Sequence, residues 1–402
     1  MHKNSVYIKM MQTKKDCYLN IEINKYLKLN SSYLSIENKC HNLHFLEHIL
    51  ENDKPTKRII CNDNEMVYIS YDLGETFTQI FKNRGFKSCF TTKKYHILGN
   101  IENDLYIYDN NKYKLVNIIK NIKHKWLGSW SITDIDNVVL FGEYGDYDNE
   151  MCIYKSIDYG LTFKKSYIYK NTSEEKIRHF HTCYNIGNKC YISSGDNLLP
   201  NEIHIWESLD KGSTFNKINF NKNNFENVNN RLKESFPGQS LKHTCYSYIK
   251  NQSAVYWGTD TVFNMSIDNK KIWKAGLVKF NPKENIIQLI DTINYNPIRA
   301  QYNINDRYLL FFSEQRRFSD TYFKSSEIGI FDLNTKKYNV IYTFSDIDSL
   351  KTKTSFNFFS VQSKYIYQEN NNFIFFLEIT PHKKNKERHN GGIMKFTISV
   401  NN

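Results

Sequence analysis

The sequence predicts an all-β protein assembled from repeated small sheets, and three observations carry that prediction. An octapeptide, Ser-x-Asp-x-Gly-x-Thr-Phe, occurs three times, at 70–77, 156–163 and 208–215. Between the copies, runs rich in aromatic and β-branched residues recur in groups of four, bounded by Asn, Asp and Gly. The 402 residues include 29 Tyr and 27 Phe but only 6 Pro and 16 Gly, so the chain is rich in strand formers and its turns fall largely to Asn and Asp.

Composition removes several classes. With 40% hydrophobic residues the chain has ample material for a core, which excludes global disorder, and the low Pro and Gly exclude a collagen-like or linker-like chain. No apolar run is long enough for a membrane span. Met1 to Asn20 mixes Lys3, Lys9, Lys14, Lys15 and Asp16 into its apolar residues and lacks a signal-peptide core, so the chain reads as cytoplasmic, with extracellular action left open. The 8 Cys have no metal-finger spacing and are expected as buried free thiols. The net charge of +12 suits an anionic partner, but no arginine-rich arm or aromatic-basic motif points to nucleic acid. A glycan, acidic in character, fits the charge, and a monomer is expected.

Each octapeptide encodes a corner between two strands. The Asp carboxylate accepts bonds from backbone N–H groups of the turn, Gly takes the positive φ, and the Thr and Phe are expected to start the next strand by packing inward. These octapeptides, with Asp72, Asp158 and Asp210 at their acidic position, match the Asp box (BNR repeat) of the sialidase superfamily. That resemblance implies a β-propeller in which each box joins the third and fourth strands of a blade, at the rim and away from any substrate pocket. The boxes are therefore scaffold.

Blades can then be assigned in order. Blade one takes His44 to Leu50, Arg58 to Asn62, Met66 to Tyr71 and Thr76 to Phe81. Blade two runs to about Ile119, blade three covers Trp126 to Tyr169, and blade four Lys176 to Phe220. Blade five, Leu241 to Ile293, carries an excursion near Phe263 to Trp273, and blade six runs from Pro297 to Phe344. Blade seven has only three strands before the chain ends. An amino-terminal strand, from Ser5 to Met10 or Cys17 to Ile23, is expected to complete it and shield the edge that an open ring exposes. The reading is one propeller domain over residues 1–402, with seven blades, or six if the first 45 residues and Asn221 to Phe236 are placed differently.

Candidate chemistry follows from blade alignment. A carboxylate ends the second strand in three consecutive blades: Glu143, Asp196 and Asp260. Glu314 and Glu378 extend the series. Equivalent positions form a circle about the propeller axis, so these acids are expected on one face. His179 and His181 are two apart on a strand and point the same way, opposite Arg178 and Phe180. His243-Thr244-Cys245 echoes His181-Thr182-Cys183 one blade later, with Gln239 just before it. Three imidazoles near one axis suit proton abstraction near neutral pH or ligation of a divalent metal, although the sequence fixes no fourth ligand and no cofactor is otherwise called for.

The order Trp126-x-Gly128-x-Trp130, Phe141-Gly142-Glu143-Tyr144-Gly145, Arg178-His179-Phe180-His181, Gly195-Asp196 and Trp257-Gly258-Thr259-Asp260 resembles bacterial BNR-repeat proteins of the glycosyl-hydrolase-like group, over roughly Trp126 to Asp260. The resemblance implies a carbohydrate-related role. A sialidase proper needs an arginine triad and usually an Arg-Ile-Pro element; the latter is absent, and Arg58, Arg178, Arg299, Arg316 and Arg317 have no evident order.

The function expected first is a glycoside hydrolase acting on an acidic or surface polysaccharide, with a polysaccharide lyase and a non-catalytic binding propeller as its alternatives. In a glycoside hydrolase, two of Glu143, Asp196 and Asp260 act as acid and as base or nucleophile. In a polysaccharide lyase, His179, His181 or His243 removes a proton next to a uronate carboxylate, Tyr144 or a His protonates the leaving oxygen, and an Arg such as Arg178 or a metal neutralises the acid. In a non-catalytic propeller, Trp126, Trp130 and Trp257 are aromatic platforms for a glycan or a protein. The hydrolase has the repeated acids and the family resemblance behind it; the lyase has the imidazoles and the basic charge.

Overall fold

The computed structural model describes residues 19–24, 26–33, 44–51, 54–63, 65–82, 85–94, 97–101, 104–109, 114–120, 128–145, 149–195, 203–220, 241–267, 270–293, 297–313, 327–343, 356–358, 364–381 and 392–401. Seven antiparallel sheets follow one another along the chain and form a seven-bladed β-propeller. Blades one to six have four strands each and span 44–82, 86–119, 132–170, 180–217, 247–293 and 298–343. The order within each blade is sequential, each strand pairing antiparallel with the next along the chain.

Burial grades with radius. Second strands such as Val138–Gly142 and Tyr308–Ser313 are buried at every residue, since both of their faces meet neighbouring blades. Fourth strands such as Lys164–Lys170 and Lys337–Thr343 are mostly half-buried or exposed. Their lysines and polar residues protect the outer sheet edge from pairing with another chain.

Ring closure uses the amino terminus, but not through the strands expected. Leu27–Tyr33 pairs with the last strand, Gly392–Val400, from Leu27 opposite Val400 to Tyr33 opposite Met394. Residues 19–23 of the expected Cys17 to Ile23 strand fall instead in Leu19–Asn24, the outermost strand, which hairpins back on Leu27–Tyr33; Ser5 to Met10, Cys17 and Tyr18 lie outside the described residues. The reason is the alternation at 27–29. Leu27 and Leu29 are fully buried in the core of the last blades, and this two-residue period decides which strand sits inside.

The three octapeptides build the same corner between third and fourth strands. In the second copy, Ser156 Oγ donates to Asp158 Oδ1 at 2.6 Å and accepts the Gly160 N–H at 2.8 Å, while Asp158 accepts the Thr162 N–H at 2.9 Å and its hydroxyl at 2.6 Å. Thr162 is thus an exposed partner of the Asp rather than an inward-packing residue; of the two, only the Phe packs. Gly74, Gly160 and Gly212 have φ of 89°, 90° and 80°, and the residue before each, Leu73, Tyr159 or Lys211, is also left-handed.

The propeller centre is filled from two sides. Trp130, on the 3₁₀ turn Ser129–Ser131 of blade three, donates its indole N–H across to Tyr246 O at 3.3 Å. Lys364, entering blade seven, donates its backbone N–H to Ser129 Oγ at 2.6 Å and its ammonium to Ile132 O at 2.8 Å. All six described cysteines are free and buried. Among the described residues no helix is long and apolar enough to cross a membrane.

Candidate active site

Four consecutive blades deliver polar side chains to one place. Blade four supplies His179, immediately before its first strand Phe180–Ile186, and His181 within it. Two-residue spacing on extended backbone brings both rings to one side, and their Nε2 atoms meet at 2.8 Å with the rings stacked at 4.7 Å. Tyr144 of blade three, half-buried, lies over His179 with ring centroids 4.0 Å apart and 5.9 Å from His181.

The donors fix the tautomers. His179 Nδ1 is 2.8 Å from Gly145 O, which only accepts, so Nδ1 carries the proton and Nε2 of neutral His179 is an acceptor. His181 Nε2–H then donates to it, and the lone pair of His181 resides on Nδ1. Complete burial pushes the His181 pKa well down, and electrostatic interaction with His179, Lys242, His243 and Arg299, of which the lysine and arginine are cations, pushes it further the same way.

Beside the pair lies a buried ionic group from blades five and six. Asp260 Oδ1 is 2.8 Å from Arg299 Nη1, and its Oδ2 is 3.5 Å from Lys242 Nζ. The Asp260 and Lys242 side chains are 3% and 5% exposed and Arg299 is 20% exposed, so Arg299 is the member that faces outward. Register explains the meeting: Gly195 N–H bonds His179 O as Asp260 N–H bonds Lys242 O, so Lys242 holds in blade five the place of His179 in blade four.

Three expectations need correction. His243 does not join the other two imidazoles. Its Nδ1–H donates to Leu241 O at 2.6 Å, its Nε2 accepts from Thr182 Oγ1 at 3.1 Å, and its ring stacks on Trp257 at 4.4 Å. Thr182 follows His181 and projects the other way, so His243 is a satisfied core histidine, its pKa lowered to about 4 by burial. Glu143 does not face the axis: Oε2 accepts the Cys152 N–H at 2.8 Å, folding the acid back onto the third strand of its own blade. Trp257 and Trp130, at 0% and 4% exposure, are core residues and offer no platform. Asp196, Gln239, Trp126 and Glu314 lie outside the described residues, whereas Glu378 is inside the strand Asn372–Pro381 opposite Ile393. Arg178 is half-buried beside His179. Asp72, Asp158 and Asp210 sit in the rim corners.

Sequence reasoning gave Lys242 no role and named Arg299 only among the arginines without evident order. Their signal was present as a basic residue opening three blades in succession, Arg178, Lys242 and Arg299, hidden by the search for acids. Among the described residues no group of three or more His, Cys, Asp or Glu could hold a metal; the Nε2 atoms of His179 and His181 are engaged with each other.

The fold and site define a seven-bladed propeller with an imidazole pair and a cationic group on one face. No family model matches the sequence, and no curated protein matches it. Solved structures share the fold at low identity. An oligogalacturonate lyase from Vibrio parahaemolyticus is 9% identical with a TM-score of 0.57 over 95% of this chain and 97% of that one. An oligogalacturonate lyase in complex with manganese is 8% identical with a TM-score of 0.55, covering 96% of each chain. The extracellular domain of a hybrid two-component system from B. thetaiotaomicron is 11% identical with a TM-score of 0.53 over 91% of this chain. This chain spans only 39% of that protein, and 39% of the similar one-component system of the same organism.

Proposed function

We propose that the protein is a polysaccharide lyase that cleaves a uronate-containing glycan by β-elimination. The observation that carries this reading is the neutral His179–His181 pair set beside Lys242 and Arg299. A base next to cations is what removal of a proton α to a carboxylate requires, because the cations stabilise the charge that develops on the acid. His181 takes the C5 proton, the electron pair forms the C4–C5 double bond, the C4–oxygen bond breaks, and Tyr144 donates a proton to the leaving oxygen. Arg299, the outward-facing cation, receives the uronate carboxylate. An anion placed there offsets the field that depresses the His181 pKa, so the base strengthens when the acidic substrate is bound.

The hydrolase reading is less well supported, since Glu143 and Asp260 are both engaged within the protein. The net charge of +12 and the substrate named for two proteins of the same fold support an acidic glycan. An imidazole-preferring divalent ion would be held by this pair only if His181 moved its proton from Nε2 to Nδ1, freeing both Nε2 atoms, and would then polarise the substrate carboxylate.

The test is incubation with polygalacturonate while near-ultraviolet absorbance and reducing ends are followed together. Elimination raises both in step. Reducing ends without the chromophore mean hydrolysis, and neither signal with saturable binding means a binding propeller.

A further inference from the structure

The segment that delivers His179 belongs to no sheet. It joins the fourth strand of blade three, Lys164–Lys170, to the first strand of blade four, which begins only at Phe180, so residues 171–179 run as irregular chain. Irregular chain that carries a working side chain has to be held by side-chain contacts. Asn171 shapes it from within: its Oδ1 accepts the Ile177 N–H at 2.8 Å and its Nδ2 donates to Ile177 O at 3.0 Å. Thr172 closes a turn, its N–H donating to Glu175 O at 3.0 Å while its Oγ1 accepts the Glu175 N–H at 3.0 Å. Ile177 is fully buried, and Arg178 and His179 follow it directly.

The turn aims Glu175 at the outer half of blade four. Its Oε1 pairs with Lys217 Nζ on the fourth strand and lies 2.9 Å from His204 Nε2 at the start of the third. Register places these partners relative to the imidazoles. His204 is opposite Ser194, and Ser194 is opposite Phe180, the residue between His179 and His181. Two strand spacings of about 4.8 Å therefore set the tie roughly 10 Å outward of the pair, across the sheet of the same blade. Its base is packed: Trp206 donates its indole N–H to Ser194 Oγ at 3.1 Å, and the rings of Tyr169 and His204 meet Trp206 edge-on at 5.3 and 5.9 Å. The hydrogen bond from Lys217 leads in holding the Glu175 carboxyl below its ordinary range, against the opposing effect of partial burial.

We propose that Glu175 is the positioning residue of the imidazole pair. Anchored on Lys217 and His204, it fixes the depth at which the segment presents His179, and the 2.8 Å contact between the two Nε2 atoms forms only at that depth. A displacement of about 1 Å there breaks the bond that keeps the His181 lone pair on Nδ1, a misplacement of the size that costs roughly 10²-fold in rate. The proposal rests on the lyase reading for what the pair does, and on this geometry for how the pair is held.

The experiment joins imidazole N–H exchange, read by NMR on ¹⁵N-histidine-labelled protein, to kinetics on polygalacturonate. The parent is compared with Glu175→Ala, with Glu175→Gln, which can still accept the Lys217 N–H, with Lys217→Met, which cuts the tie from blade four and leaves the segment untouched, and with the Glu175→Ala/Lys217→Met double form. The expected result is slow exchange of the His179 Nδ1–H and His181 Nε2–H protons in the parent and exchange faster by about tenfold or more in Glu175→Ala and Lys217→Met. The double form should be no worse than either single one, and Glu175→Gln should recover most of the protection. In step with exchange, kcat should fall by about tenfold or more with KM within about twofold. If Glu175→Ala does not fold, Lys217→Met carries the comparison alone. Parent-like exchange in the folded altered forms overturns the proposal even where their urea midpoints drop, because the ion pair then only adds stability. So does fast exchange already present in the parent. The lyase reading fails separately: protection that depends on Glu175, with no unsaturated product from any form, refutes elimination and leaves the positioning role standing.

Discussion

Arg299 of blade six and Asp260 of blade five form an ion pair at 2.8 Å, and Lys242 approaches the same carboxylate from the other side. One acid thus holds two cations in place where little water reaches. Removing that acid takes from the almost fully buried Lys242 the carboxylate that faces its ammonium. Asp260→Asn is expected to destabilise the protein by about 3 kcal/mol in urea unfolding. Adding Lys242→Met should recover at least half of the loss, and a single variant as stable as the parent refutes the arrangement.

The pH dependence of stability has its own origin. His48 and His243 are buried and neutral, each with its pKa lowered to about 4 by burial from an ordinary 6.5. Between those values the unfolded chain binds a proton at each histidine and the folded protein does not. Stability is therefore full above about pH 6.5 and falls as pH drops toward 4, by about 1.4 kcal/mol per pH unit for each histidine. His243→Gln should remove one histidine's share of that slope in denaturant titrations across the window. An unchanged slope would contradict the burial account.

The octapeptide glycines are not equivalent. A Cβ on Gly212 would lie 2.5 Å from Leu140 Cδ2 of the preceding blade, whereas one on Gly160 would meet Leu98 Cδ1 at 3.0 Å. Both have left-handed φ, so alanine strains either corner by about 1 kcal/mol; Leu98 and Thr92 must give by a few tenths of an ångström at 160, and Leu140 must move further at 212. Gly212→Ala is expected to cost roughly 2 kcal/mol more than Gly160→Ala. Equal midpoints in chemical denaturation would mean the blade seam relaxes freely.

Leu29 tests ring closure, because it is fully buried and its strand supplies the bonds that join the amino terminus to the last strand. Leu29→Ala should cost about 2–5 kcal/mol through the cavity it leaves. Calorimetry should still show one transition, since the closing strand and the ring unfold together; a separate early transition would show that the strand detaches alone.

What the sequence disclosed and what it hid divide along physical lines. The octapeptides, the blade spans and the pairing of His179 with His181 were legible because each depends on local spacing: a turn, a run, a two-residue period. The closing strand was misplaced because Lys28 and the polar stretch after Leu29 mask the Leu27/Leu29 alternation that settles it. Glu143 and Asp260 occupy similar sequence positions, yet one folds onto Cys152 and the other into an ion pair across a blade boundary. Spacing within a blade cannot announce a contact between blades, so Lys242 and Arg299 stayed in the background.

The imidazole pair leads to the sharpest kinetic prediction. In the free protein His181 is held well below its ordinary pKa by burial and then by surrounding positive charge. A uronate carboxylate beside Arg299 cancels part of that charge, so the base titrates higher in the complex than in the free enzyme. The acid limb of kcat, which reports the complex, should therefore lie at higher pH than the acid limb of kcat/KM, which reports the free enzyme. Lys242→Met removes one of the depressing charges from the free enzyme and the complex alike, so it should raise both limbs. His181→Ala should lower kcat by about 10²–10⁴-fold with KM little changed, as expected for loss of a general base. Tyr144→Phe, which keeps the ring over His179 but removes the hydroxyl, should lower kcat without moving the acid limb. Coincident limbs in the parent, together with an active His181→Ala form, would show that proton abstraction does not pass through this pair.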